Sequence, residues 1–173
     1  MLLDLIAAAA AAFGAAGVAM VLRHLTRGRL PRWIVPLAAG AGMIAFAIWN
    51  EYTWYPRVAA TLPAEVPVVL APADTSPLRP WTYAVPLVTR FIALDRTAMV
   101  TSTENPAIRR ADAMVVERWM GTKRIPMGFD CAGGRQATLG EGVTLAPDGT
   151  LEGAAWAEVG PEDELQKAAC REG

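Results

Sequence analysis

Apolar positions along this chain fall into two regimes. From Leu2 to Leu22 the only ionisable side chain is Asp4, and from Trp33 to Trp49 there is none. Neither run shows the polar stripe that a surface helix turns to water; Ile6 to Leu22 offers no charged or amide side chain at any helical spacing. A helix rises about 1.5 Å per residue, so about 20 apolar residues cross a hydrocarbon core of about 30 Å. The first run meets that length, and the second is extended by Trp49, Tyr52, Trp54 and Tyr55. The pattern predicts a transmembrane hairpin, with helices over about 2–22 and 33–54 and a loop over 23–32. A cleaved signal peptide normally begins with a basic segment; here the chain begins Met-Leu-Leu-Asp with no Lys or Arg before Arg23, so an uncleaved anchor is expected. Ala10, Gly14 and Gly17 of the first helix and Gly40 and Gly42 of the second are small enough to let two backbones approach.

After residue 55 the periodicity changes. Six of the thirteen prolines lie between 56 and 80. Proline removes backbone donors and fixes φ, so this stretch is expected as a semi-rigid spacer, with Val66 to Leu70 apolar enough to dock as an edge strand. From 81 to 173 the pattern is that of a small β domain. Strands are expected over 81–94 and 113–120, where aromatic and β-branched residues concentrate. The clearest strand has Ile125, Met127, Phe129 and Cys131 alternating with Arg124, Pro126, Gly128 and Asp130. Pro126 requires an edge position or an unpaired stretch there. A turn at Ala132-Gly133-Gly134 leads into a return strand over 136–139. A second turn is expected at Pro147-Asp148-Gly149 and a last strand within 150–159. A helix then runs from Pro161, with acids in its first turn, to about Cys170. The fold class is therefore membrane-anchored α+β: a two-helix hairpin, then a small antiparallel sheet with a C-terminal helix.

Charge divides with hydropathy and gives the hairpin a direction. The loop RHLTRGRLPR carries Arg23, Arg27, Arg29 and Arg32 and no acid. Short loops rich in arginine stay cytoplasmic, which puts the N-terminus and the C-terminal domain outside, in the periplasm of a bacterial inner membrane. Trp33 would mark the inner interface, and Trp49, Tyr52, Trp54 and Tyr55, followed by Arg57, the outer one; the same aromatic cluster is of the type that docks partners. Overall, 53% of the 173 residues are hydrophobic and the net charge is -1, but this average hides +3 on residues 1–50 and -4 on residues 51–173. Such a composition excludes a disordered chain, and the acidic outer part is not that of a nucleic-acid binder.

The only two cysteines, Cys131 and Cys170, end a predicted strand and the predicted last helix. An oxidising periplasm would favour a bridge between them; two free thiols are the other reading. Several features in order, namely Trp81, Phe91-Ile-Ala-Leu94-Asp95, Val115 to Trp119, Phe129-Asp130-Cys131 with Arg135, and Trp156 with Glu164-Leu165-Gln166-Lys167-Ala168-Ala169-Cys170, give residues 80–170 a pattern that resembles the surface-adhesin protein E domain. The resemblance implies a short antiparallel sheet with an Asp-Cys near its middle, and a C-terminal helix ending in a second Cys paired with the first.

No catalytic set stands out. The single histidine, His24, falls in the cytoplasmic loop, so no Ser-His-Asp or Cys-His arrangement can form outside. Asp95, Asp112, Glu117 and Asp130 read as polar strand faces and turns, Arg109-Arg110 and Lys123-Arg124 as solvated surface, and no G-x-x-x-x-G-K phosphate loop is present. No cofactor or metal is implied. The expected function is non-enzymatic: the lipid bilayer is one partner and another membrane or periplasmic protein the second, with the chain an accessory or assembly component of an envelope complex. The other expectation is a periplasmic ligand-binding or sensory module, with a pocket lined by Trp81, Tyr83, Trp119 or Trp156.

Overall fold

A computed structural model describes residues 2–140, 142–145, 151–160 and 162–171. The expected turn at 147–149, residue 150 of the expected last strand and Pro161 lie outside the described residues. The chain divides into two units, Met1–Trp54 and Tyr55–Gly173.

The first unit holds helices α1 (Leu2–Leu25) and most of α2 (Ile34–Ala59). At about 1.5 Å per residue their 24 and 26 residues span about 36 and 39 Å. Both are long and apolar enough to cross a membrane by length and composition. Their large apolar side chains, including Leu3, Phe13, Val18, Leu37 and Ile44, are exposed, and within the helices only Ala19 and Asn50 are buried. The two helices meet along a narrow seam of small residues: a Cβ placed on Gly42 would fall 2.7 Å from the Ala15 Cβ and 3.0 Å from the Ala11 carbonyl oxygen. Gly14, Gly17 and Gly40, expected in that contact, have nothing within 4 Å of a Cβ. On α2 the seam passes through Gly42, as expected, whereas on α1 it follows Ala11 and Ala15 rather than Ala10, Gly14 and Gly17. Pro56 stands in the last turns of α2 and does not end it; the helix runs five residues past the expected boundary at 54.

The second unit is built from β1 (Val68–Leu70), β2 (Ala73–Asp74), β3 (Leu87–Val88), β4 (Arg90–Thr101), β5 (Ile108–Glu117), β6 (Gly121–Asp130), β7 (Arg135–Thr138), β8 (Thr144–Leu145), β9 (Leu151–Glu152), β10 (Ala157–Glu158) and α3 (Glu164–Cys170). Six strands form one curled antiparallel sheet in the order β1-β4-β5-β6-β7-β10, and β2-β3 and β8-β9 are separate pairs. Part of the proline-rich stretch is taken into the sheet: β1 pairs with β4 at its edge, so the length available as a connector is shorter than 56–80 implies.

The expected strand over 81–94 is three elements. Pro80–Tyr83 is a 3-10 turn, and β3 and β4 follow Pro86. Aromatic residues made 81–85 look strand-like, but Pro80 at the first helical position and the Thr82 hydroxyl, which donates to the Arg79 carbonyl at 2.7 Å, hold it as a turn. Strand β5 begins at Ile108, five residues before the expected start. Pro126 sits in an inner strand, and its carbonyl accepts from the Leu139 amide at 2.8 Å. A strand residue's N–H and C=O point to the same neighbour, so the missing donor faces Leu139, just past the last residue of β7, and the proline costs at most the one reciprocal bond at the end of that ladder.

Strand alternation puts Leu94, Ala111 and Phe129 on one face, where α3 covers them with Leu165, Ala168 and the fully buried Ala169. Phe91 and Ala93, buried on the other face, are joined there by Tyr55, whose ring lies edge-on to Phe91 at 5.5 Å between centroids.

Candidate functional site

The arginine loop is a tight turn. Arg27 and Gly28 adopt positive φ of 53° and 78°, the Thr26 hydroxyl bonds the Leu22 carbonyl at 2.9 Å, and Arg23 Nε donates to the Leu30 carbonyl at 3.3 Å. Arg27, Arg29 and Arg32 are exposed beside it, Arg23 is half-buried, and His24 borders an open depression with Arg23 and Arg27. Trp33 is exposed at the start of α2. At the other end of α2, Trp49 is exposed, Tyr52, Trp54 and Tyr55 are half-buried and Arg57 is exposed. At about 100° per residue these aromatic rings fall on all sides of the helix rather than in one stripe.

In the second unit the cysteines form a disulfide, Cys131–Cys170, with Cα atoms 5.5 Å apart. Its surroundings are built by the β6–β7 turn. Asp130 Oδ1 accepts from the Ala132 and Gly133 amides at 3.1 and 2.8 Å, and Oδ2 accepts from Arg135 Nε and Nη2. Gly133 is required there because a Cβ would run into the Asp130 carboxylate and the Arg135 Nε. Burial opposes ionisation of Asp130, but the Arg135 guanidinium and the turn amides outweigh it and hold the carboxyl below its ordinary range. Arg135 also lies over the Trp156 ring at 5.6 Å. From α3, Gln166 donates to the Asp130 carbonyl at 2.9 Å, and Asp163 caps the helix by accepting from the Gln166 amide at 2.8 Å. Arg109, read from sequence as solvated surface, donates through Nη1 to the carbonyls of Ala169 and Arg171 at 3.0 and 3.1 Å and so closes the C-terminal end of α3. Its signal in the sequence was only an alternation that placed it on the same face as Ala111 and Ala113.

The remaining acids are in structural settings. Asp95 and Asp112 are cross-strand partners. Asp95 Oδ1 accepts from the Thr97 hydroxyl at 2.6 Å and from the Thr97 and Ala98 amides, which holds the bulge between Asp95 and Val100. The Thr97 hydroxyl, against the opposing effect of burial and with help from those amides and Arg124, keeps the Asp95 carboxyl below its usual range. Glu117 stands opposite Arg90. Among the described residues no three His, Cys, Asp or Glu side chains are placed to hold a metal ion.

The four aromatic residues named for a pocket stand in three separate places. Trp81 and Tyr83 are on the 3-10 turn, Trp119 borders an open depression with Asp74, Thr89 and Arg90, and Trp156 lies over Gly128 and Arg135. Gly128 is seven positions along β6 from Gly121, where the Trp119 turn ends; at about 3.3 Å per residue the Trp156 ring is about 23 Å from that turn. An open depression of about 460 Å³ beside the disulfide is lined by Cys131, Gly133, Glu158, Gln166 and Lys167.

Comparison of the chain with protein-family models, with curated proteins and with solved structures gives no match. The likeness to the surface-adhesin protein E domain rests on the residues quoted for it.

Proposed function

We propose that this protein is a non-enzymatic component of a bacterial inner membrane, anchored by the α1–α2 hairpin, with its arginine loop in the cytoplasm and its disulfide-tied β domain in the periplasm. In this reading the domain works through protein contacts, as an accessory or assembly part of an envelope complex. The observation that carries it is the pair of 24- and 26-residue helices whose large apolar side chains are nearly all exposed. A core helix of a soluble protein would bury those side chains; lipid is the solvent that suits them. Four arginines and no acid in the connecting loop supply the direction.

The likeness of the outer domain to the surface-adhesin protein E domain belongs to this reading as a statement about architecture. An inner-membrane hairpin ahead of the domain argues against display to a host. Two measurements test the proposal. Membranes washed with alkaline carbonate should retain the protein, and release into the wash would refute the anchor. Mild detergent followed by native separation should show the chain in a larger assembly, and migration alone would refute the accessory role.

A further inference from the structure

The outer face of α1 carries features that the contact between the two helices does not use. At about 100° per residue, Phe13, Gly17, Met20 and His24 fall within about 60° of one another, on the side of the helix opposite Ala11 and Ala15, which meet Gly42. Phe13 is 79% exposed and Met20 55%. Between them Gly17 has open space where a Cβ would stand. The stripe is therefore notched between two large apolar side chains, and Gly17, which takes no part in the helix contact, forms the floor of the notch.

At the loop end of this stripe lies an open depression of about 730 Å³, lined by Met20, Arg23, His24, Leu25, Arg27 and Gly28. Its charge is of one sign, because residues 5–50 contain no Asp or Glu. At about 1.5 Å per residue, Asp4 is about 29 Å along α1 from Arg23, and Glu51 is about 26 Å along α2 from Ile34. Arg23 uses Nε on the Leu30 carbonyl, which leaves its two terminal nitrogens for a ligand. Arg27 is exposed and held at a positive φ of 53°, a conformation that side chains rarely adopt. Orientation of a hairpin depends on how many arginines its loop carries; it does not require two of them and an imidazole at the head of an apolar notch. Guanidinium groups pair with phosphate oxygens through two parallel hydrogen bonds, and basic clusters at the membrane boundary bind anionic headgroups. The dimensions agree as well: from His24 to Phe13 the helix rises about 17 Å, against about 15 Å for one leaflet of a hydrocarbon core of about 30 Å.

We propose that this stripe is a binding site for one anionic phospholipid, with its phosphate held by Arg23, His24 and Arg27 and an acyl chain in the notch at Gly17 between Phe13 and Met20. The inference rests on the hairpin being a membrane anchor and adds a specific lipid ligand to it. The test uses the full chain, with its disulfide intact, in a neutral detergent. Native mass spectrometry follows titration with phosphatidylglycerol, with phosphatidylcholine of the same acyl chains, or with glycerol phosphate. One phosphatidylglycerol should bind, about tenfold or more tighter than phosphatidylcholine, and glycerol phosphate should not compete with it. Arg27→Asn, in which asparagine suits the positive φ, should weaken phosphatidylglycerol about fivefold. Arg29→Asn, the same loss of charge outside the depression, should weaken it far less. Gly17→Leu fills the notch without a change of charge and with a better helix former, and should weaken the lipid several-fold. Equal losses at 27 and 29 would mean diffuse attraction to the loop and would overturn the site, as would an undiminished affinity in Gly17→Leu. Glycerol phosphate binding as well as the lipid would make this a plain anion site and overturn it too. The same chain is also placed in phosphatidylcholine vesicles and washed with alkaline carbonate. Retention without a preference for phosphatidylglycerol would overturn the lipid site and leave the anchor standing; release into the wash would overturn both.

Discussion

Asn50 donates from Nδ2 to Asp4 Oδ1 at 3.1 Å, joining the first turn of α1 to the later part of α2 across 46 positions of sequence. This bond sets the antiparallel register of the hairpin, and Gly42 against Ala11 and Ala15 continues the same seam toward the arginine loop. Asp4 is the one ionisable residue of the first apolar run and Asn50 follows directly on the second, so their meeting places these two polar residues together at one end of the hairpin.

Interhelical hydrogen bonds in lipid are worth about 0.6 to 2 kcal/mol. Asn50→Leu should therefore destabilise the hairpin by about 1 kcal/mol, and combination with Asp4→Ala should add little. Steric trapping of the full chain in bicelles would measure both; additive losses would mean that the two residues act apart.

At Gly42 any side chain meets the facing helix. Gly42→Leu should cost about 1 to 3 kcal/mol through overpacking, whereas Gly40→Ala, with open space around it, should be close to neutral. Thermal melts of the two variants in one detergent would separate them.

The disulfide closes 39 positions between β6 and the end of α3. In the chain-entropy model a loop of this size contributes about 4 kcal/mol. Replacing both residues, Cys131→Ser with Cys170→Ser, should lower the unfolding free energy of the β domain, read from urea titration, by that amount, and reductant should do the same to the native chain. Gln166→Ala removes the side-chain bonds to the Asp130 carbonyl and to Cys170 Sγ and should cost about 1 to 2 kcal/mol.

Acid should loosen the β domain through Asp95 and Asp130. Both carboxyls are held below their ordinary value in the fold, so the stability they confer is complete above about pH 4, the unfolded range. It is lost as pH falls through the lower folded values. Asp130→Asn should flatten that acid limb, because the Arg135 guanidinium and the turn amides lose their anionic acceptor. Urea midpoints measured from pH 6 to pH 2 would show it; an unchanged limb would assign acid sensitivity elsewhere.

Much of this architecture was legible because single-residue signals repeat. Uninterrupted apolar runs gave both helices, period-two alternation from Arg124 to Cys131 gave β6, and Ala132-Gly133-Gly134 gave the turn into β7. Legibility failed where a side chain overrides local propensity. Thr82 holds aromatic residues in a 3-10 turn instead of a strand, and the Asp95 carboxylate builds a bulge that carries β4 on to Thr101. Arg109 and Arg110 made the start of β5 look like surface, although Arg109 is committed to the carbonyls at the end of α3. Of the small residues read as the hairpin's contact face, Gly42 is in the seam, but on α1 it meets Ala11 and Ala15 rather than the glycines.

Topology is the claim on which the functional reading depends most. Alkaline phosphatase, active only where its own disulfides form, and a green fluorescent protein, bright in the cytoplasm, can each be fused after residue 173 and after Gly28 in the arginine loop. The account expects the C-terminal fusion to be enzymatically active and dark, and the fusion at residue 28 to be inactive and fluorescent. A fluorescent C-terminal fusion without phosphatase activity would place the β domain in the cytoplasm and contradict the periplasmic reading directly.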